Sequence, residues 1–155
     1  MQMLHGRALY RDIWYAPPPL STAVYLLWDA RNGLALRLAG TVFLWLACLA
    51  AWRFAEQLWG KREGVAAAWL LAFFFIFDIP ASALVLGPDL LMILPHFLAV
   101  WLAWRGKAFW GGLAAGLAFL CNTKGLFVLG ACLAFCPQGA LWILAGFLAP
   151  NLAAA

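Results

Sequence analysis

Six ionisable side chains stand out in a chain that is otherwise almost entirely apolar: Asp12, Asp29, Asp78, Asp89, His96 and Lys124. Ionisable groups at membrane depth are costly, and they usually pair with one another or line a cavity. A carboxylate can accept a proton from a hydroxyl or hold a divalent metal, and a basic group can neutralise a phosphate. Asp89 follows Gly87-Pro88 and opens an apolar run. Proline suits a first helical turn, and an aspartate there is stabilised by the helix dipole. Asp89 is therefore either a helix-start charge or a carboxylate aimed at a metal or polar ligand. His96, seven residues on, is either a hydrogen-bonding core histidine or a second polar group facing the same cavity. Lys124, in Asn122-Thr123-Lys124-Gly125, either snorkels to the interface or holds a phosphate. Asp78, just before Ile79-Pro80, reads as a turn residue.

A second polar passage precedes these: Tyr10-Arg11-Asp12-Ile13-Trp14-Tyr15-Ala16-Pro17-Pro18-Pro19-Leu20. Three consecutive prolines remove backbone donors and fix φ, and each pushes the preceding residue toward extended geometry. The passage is expected to form a rigid elbow leading into the apolar chain and to make one wall of a ligand site. Tyr10, Trp14 and Tyr15 offer ring faces for a sugar, Arg11 offers a cation and Asp12 a carboxylate.

The elements that must position these groups follow from composition. Hydrophobic residues make up 67% of the 155, charged residues 10%, and the mean hydropathy is +0.92. Soluble domains are roughly 45–50% apolar and about 25% charged, so the excess apolar surface is expected to face a lipid bilayer. The net charge of +4 comes from basic residues scattered singly or in pairs, with no basic stripe, which argues against a nucleic-acid partner. Cys48, Cys121, Cys132 and Cys136 lie in apolar runs without zinc-like spacing and read as small buried hydrophobes.

The expected fold is all-α: a polytopic transmembrane helix bundle in one domain, 1–155. Residues 1–33 form an extracytoplasmic loop and an interfacial helix over 20–28, and 34–155 form about five to six membrane helices. Their segments run from Leu34 to Leu58, Val65 to Phe77 or beyond, Pro88 to Trp104, Ala108 to Cys121, Leu126 to Cys136 and Ala140 to Pro150. The last three are short against the roughly 20 residues of a span. Gly112-x-x-x-Gly116 allows close helix packing. Alternation puts loops 53–63 and 105–107 on one side, with Arg53, Lys61, Arg62, Arg105 and Lys107. Loops 78–89 and 122–125 fall on the other side, with residues 1–33. The positive-inside bias makes the first side cytoplasmic and the polar site external.

In its motifs the chain resembles the GT-C membrane glycosyltransferases. It looks most like the bacterial relatives of dolichyl-phosphate-mannose protein mannosyltransferases and of the aminoarabinose transferase acting on lipid A. The resemblance rests on Leu4-His5-Gly6-Arg7-Ala8-Leu9-Tyr10-Arg11-Asp12 and Pro18-Pro19-Leu20, then on Asp89 opening a later helix. It continues in the glycine-rich run from Gly111 to Gly116 that leads to Asn122-Thr123-Lys124-Gly125. It implies inverting transfer of a sugar from a polyprenyl-phosphate-linked donor to an extracytoplasmic acceptor hydroxyl, in a bacterial inner membrane. An aspartate acts as base, and a divalent metal is compatible with that chemistry. Asp12 and Asp89 are the candidate catalytic residues; Tyr10, Arg11, Trp14, His96 and Lys124 are the candidate substrate contacts.

The family carries a membrane helix and an acidic motif before Tyr-Arg-Asp, and many members carry an acidic residue and a lysine before Pro-Pro. Here Tyr15, Ala16 and Pro17 occupy the latter places. The expectation is an amino-terminally truncated fragment or a degenerate relative, inactive alone. Two other readings stand beside it: a small transporter or channel subunit with Asp78, Asp89, His96 and Lys124 along a pathway, and a non-catalytic assembly factor packing through Gly112-x-x-x-Gly116.

Overall fold

A computed structural model of the chain describes residues 18–27, 33–78 and 86–154. Among these, all regular structure is helical: α1 (Pro19–Leu27), α2 (Leu34–Trp59), α3 (Lys61–Phe73) with a π-helical turn Phe74–Asp78, α4 (Pro88–Trp104), α5 (Ala108–Cys121), α6 (Gly125–Phe135), a 3-10 turn Pro137–Gly139, and α7 (Ala140–Ala153). The all-α expectation therefore holds. Among the described residues only α2 is by itself long and apolar enough to cross a membrane, and α6 with α7 forms a second candidate, bent by 111° at Pro137–Gly139.

The helices bury small residues and expose large ones. On α2 the buried positions are Leu36, Gly40, Ala47, Ala51 and Ala55, a single stripe, whereas Leu38, Val42, Trp45, Leu46 and Trp59 are exposed. On the peripheral faces of α3, α6 and α7, Trp69, Leu70, Phe77, Phe127, Leu141, Trp142 and Leu152 are also exposed. A soluble monomer rarely shows apolar surface on this scale, and such surface marks a protein or membrane contact.

The connection expected between Leu58 and Val65 shrinks to one residue, Gly60. Gly60 takes φ 118° and ψ 178°, and α3 starts at Lys61, four residues before the expected Val65. The apolar pattern begins at Val65, but the helix begins where the backbone can turn. This is a conformation essentially reserved for glycine, costing a side-chain-bearing residue roughly 1–3 kcal/mol. The sharp turn brings α3 onto α2: a Cβ on Gly64 would lie 2.6 Å from Trp52 Cδ1 and 2.9 Å from its carbonyl oxygen. Gly60→Ala is expected to lower the thermal unfolding midpoint in detergent by that order of energy, whereas Gly33→Ala, with open space around it, leaves the midpoint unchanged.

The main core joins α4, α5, α6 and α7 through Ala99, Ala103, Ala115, Ala118, Val128, Cys132, Ile143 and Phe147. The buried face of α5 is almost all small, from Gly111 and Gly112 to Gly116 and Ala118, so α7 can approach its backbone. A Cβ on Gly112 would overlap the Ile143 backbone, one on Gly146 the Phe109 carbonyl, and one on Gly116 would lie 2.6 Å from the Phe147 carbonyl oxygen. The Gly112-x-x-x-Gly116 seam is thus filled from within the chain. Cys121, Cys132 and Cys136 are buried and unbonded, in keeping with their apolar settings, and Cys48 is a free, half-buried thiol.

A second cluster gathers Leu36, Phe75, Leu86, Leu90, Leu91 and Cys121, with Leu20, Val24 and Tyr25 of α1 packed on it. Hydrogen bonds between distant segments define the two ends of the bundle. The Trp101 indole N–H donates to Gln57 Oε1 at 2.9 Å, joining the ends of α2 and α4. The Tyr25 hydroxyl donates to the Leu86 carbonyl at 3.2 Å, tying α1 to the start of α4.

Candidate functional site

The start of α4 is fixed from below. Gly87 is extended (φ −62°, ψ 164°), Pro88 occupies the first turn, and the Leu91 N–H bonds back to the Gly87 carbonyl at 3.0 Å. Leu86, Leu90 and Leu91 are buried in the second cluster. Asp89, between them, is left facing the turn that joins α5 to α6.

That turn is shaped by its own sequence. Asn122 leaves α5 in extended geometry (φ −155°, ψ 137°), so its side-chain carbonyl can accept the Lys124 N–H at 3.0 Å. The Gly125 N–H bonds to the Asn122 carbonyl at 2.8 Å, and a Cβ on Gly125 would overlap the Phe119 backbone. The chain thus doubles back tightly and presents two side chains toward α4. Lys124 Nζ lies 2.7 Å from Asp89 Oδ1, and Asn122 Nδ2 donates to the same oxygen at 2.9 Å. The pair is wet, with side-chain exposures of 61% for the lysine and 28% for the aspartate.

Both bonds converge on Oδ1, so Oδ2 has no hydrogen-bond partner among the described residues. Lys124 commits one of its three N–H donors. The site thus retains an acceptor suited to a hydroxyl proton beside donors suited to an anion.

Of the residues singled out in the sequence, Asp89 and Lys124 come together. His96 does not join them: it lies two turns along α4, roughly 10 Å farther by helix rise, half-buried and stacked on Phe97 at 5.8 Å. Asp78 ends the π-helical turn. Tyr10, Arg11, Asp12, Trp14, Tyr15 and Asp29 lie outside the described residues. Among the described residues no three His, Cys, Asp or Glu side chains gather in a way that could hold a metal ion.

Asn122 is the functional residue that sequence reasoning passes over. A short amide side chain at a helix end signals a cap or turn, and Asn122 does serve one through its oxygen. Its other function, holding Asp89 through the amide nitrogen, depends on the fold. Two apolar grooves lie elsewhere. One, of about 360 Å³, runs between α2 and α4 beside Arg53, Gln57 and Trp101; the other, of about 600 Å³, lies between α2 and α3 beside Ala55, Leu70 and Phe74. No family model, curated protein or solved structure matches the chain.

Proposed function

We propose that the chain crosses the membrane several times and forms part of a GT-C-type glycosyltransferase, binding a polyprenyl-phosphate-linked sugar at the Asp89–Lys124 end. The observation that carries this reading is the contact between Asp89 and Lys124, 35 residues apart, reinforced by Asn122. The Tyr25–Leu86 bond supports it, because α1 continues directly from the Tyr10–Pro19 passage and is tied beside the same pair. Large apolar side chains exposed along α2, α3, α6 and α7 support a lipid surround. At about 1.5 Å per residue, α4 reaches roughly 26 Å and α5 roughly 21 Å. Both are short of a ~30 Å hydrocarbon core, so crossing there relies on local thinning or on the turns dipping in.

In this reading Lys124 neutralises the lipid phosphate. An aspartate takes the proton of the acceptor hydroxyl as its oxygen attacks the anomeric carbon. The bond from that carbon to the phosphate oxygen breaks with inversion, and the phosphate leaves as an anion. Asp89 is the described carboxylate placed for that role, and Asp12 is the other candidate. Sugar transfer from polyprenyl-phosphate donors tests the reading, with this chain compared against a version extended upstream of Met1. Donor binding and transfer by the extended protein are expected, with transfer slowed by Asp89→Asn and donor binding kept. An extended protein that neither binds nor turns over such donors contradicts it.

One observation favours a second reading. Asp89 and Lys124 satisfy each other's charge, as a structural clamp between α4 and the α5–α6 turn would.

A further inference from the structure

At the opposite end of the bundle from Asp89, an apolar groove opens between α2 and α4 with a cation at its mouth. Its walls include Ala50, Phe54, Leu94, Phe97 and Leu98, and its polar residues are Arg53 and Gln57. Its volume of about 360 Å³ is within the range, roughly 300–1,000 Å³, of small-ligand sites.

Three features give the mouth a charge preference. The Arg53 guanidinium lies 4.9 Å from the centre of the Trp52 ring, and Arg105 lies 5.4 Å from that of Trp101, which itself lines the groove. Because Gln57 Oε1 accepts the Trp101 indole N–H, its amide NH₂ is turned away from Trp101 as a free donor among the described residues. This end also carries Lys61, Arg62 and Lys107, against only Glu56 and Glu63, and the Arg53–Glu56 contact is long, at 3.4 Å. An apolar slot beneath a net-positive rim complements a molecule with a hydrocarbon chain and an anionic head. Basic pockets between membrane helices on the cytoplasmic side bind acidic headgroups by this chemistry.

We propose that this groove holds one anionic phospholipid of the basic-side leaflet, with its phosphate between Arg53, Gln57 and Arg105 and an acyl chain along Phe54, Leu94 and Leu98. The site rests on the membrane-crossing reading but not on sugar transfer, and it lies at the other end of the bundle from Asp89.

The test uses the full chain. Flotation with vesicles of phosphatidylcholine and phosphatidylglycerol comes first, followed by native mass spectrometry of the detergent-solubilised protein titrated with each lipid. One phosphatidylglycerol retained at least tenfold more tightly than phosphatidylcholine is expected. Arg53→Gln with Arg105→Gln is expected to remove that preference, Ala50→Trp to block the slot, and Lys61→Gln with Arg62→Gln, which thins only the wider positive rim, to lower it far less. Arg53→Lys, which keeps the charge with less disturbance, should retain most of the preference. Glycerol 3-phosphate should not compete; if it displaces the lipid, the site reads free phosphate and the proposal fails. Equal retention of both lipids, or equal loss in the Lys61/Arg62 variant, overturns it as well. A chain that does not float with vesicles overturns the membrane-crossing reading itself, a result distinct from floating without lipid preference.

Discussion

Gly112→Leu is expected to abolish the folded bundle rather than merely loosen it. A Cβ at this position already overlaps the Ile143 backbone, and backbone cannot rotate away as a side chain can. Overpacking a core typically costs about 1–3 kcal/mol, and occasionally more. Here relief requires α5 and α7 to separate, and their contact closes the main core through Ala115, Ala118, Ile143 and Phe147. Gly116→Leu should act in the same direction, against the Phe147 carbonyl and Pro150 Cγ, both at 2.6 Å. Gly130→Leu supplies the control, since nothing lies within 4 Å of a Cβ there. In detergent, size-exclusion profile and thermal unfolding should show loss of the monodisperse species for Gly112→Leu and no change for Gly130→Leu. A Gly112→Leu protein that stays folded but changes oligomeric state would return the seam to contacts between molecules, as the assembly-factor reading requires.

The second large effect is at Lys124. Lys124→Gln is expected to weaken binding of a polyprenyl-phosphate sugar by tenfold or more, and Lys124→Arg to retain most of it, because the cation is what meets the phosphate. In the extended protein, Asp89→Asn is expected to leave binding largely intact and to slow transfer by roughly 10²–10⁴, the usual contribution of a general base. Stability separates this from the clamp reading. An exposed ion pair contributes only about 0.2–1 kcal/mol, so Asp89→Asn with Lys124→Gln should barely move the unfolding midpoint while donor binding is lost. A clamp predicts the reverse, a lowered midpoint with donor binding unchanged.

The helices were legible in the sequence where a local signal marks an end. Pro88 and Trp104 bound α4 as expected, and Ala108 and Cys121 bound α5, because Gly-Pro and Arg-Gly-Lys interrupt the apolar runs there. The start of α3 was missed because apolarity locates the buried stretch, whereas the positive φ of Gly60 locates the turn. The bend between α6 and α7 showed only as Pro137-Gln138-Gly139, because a Pro/Gly signal marks a break without giving its angle, here 111°. Asp89 and Lys124 could be brought to one end by counting alternating segments, and His96 could not be excluded from them by counting. The separation emerges only with α4 in place: Asp89 at its first turn meets Asn122 and Lys124, while His96 lies two turns away against Phe97. The Gln57–Trp101 contact had no sequence signal at all, because it joins residues 44 apart on separate helices.

The most direct measurement of the central claim is photo-crosslinking of the full chain in membranes with a diazirine-bearing polyprenyl-phosphate sugar, followed by peptide mapping. Adducts on peptides spanning Gly87–Asp89 and Asn122–Gly125, displaced by unlabelled donor and lost in Lys124→Gln, are the result expected. Adducts confined to the Arg53–Gln57 and Trp101–Arg105 end, or spread over the apolar faces without displacement, would contradict it.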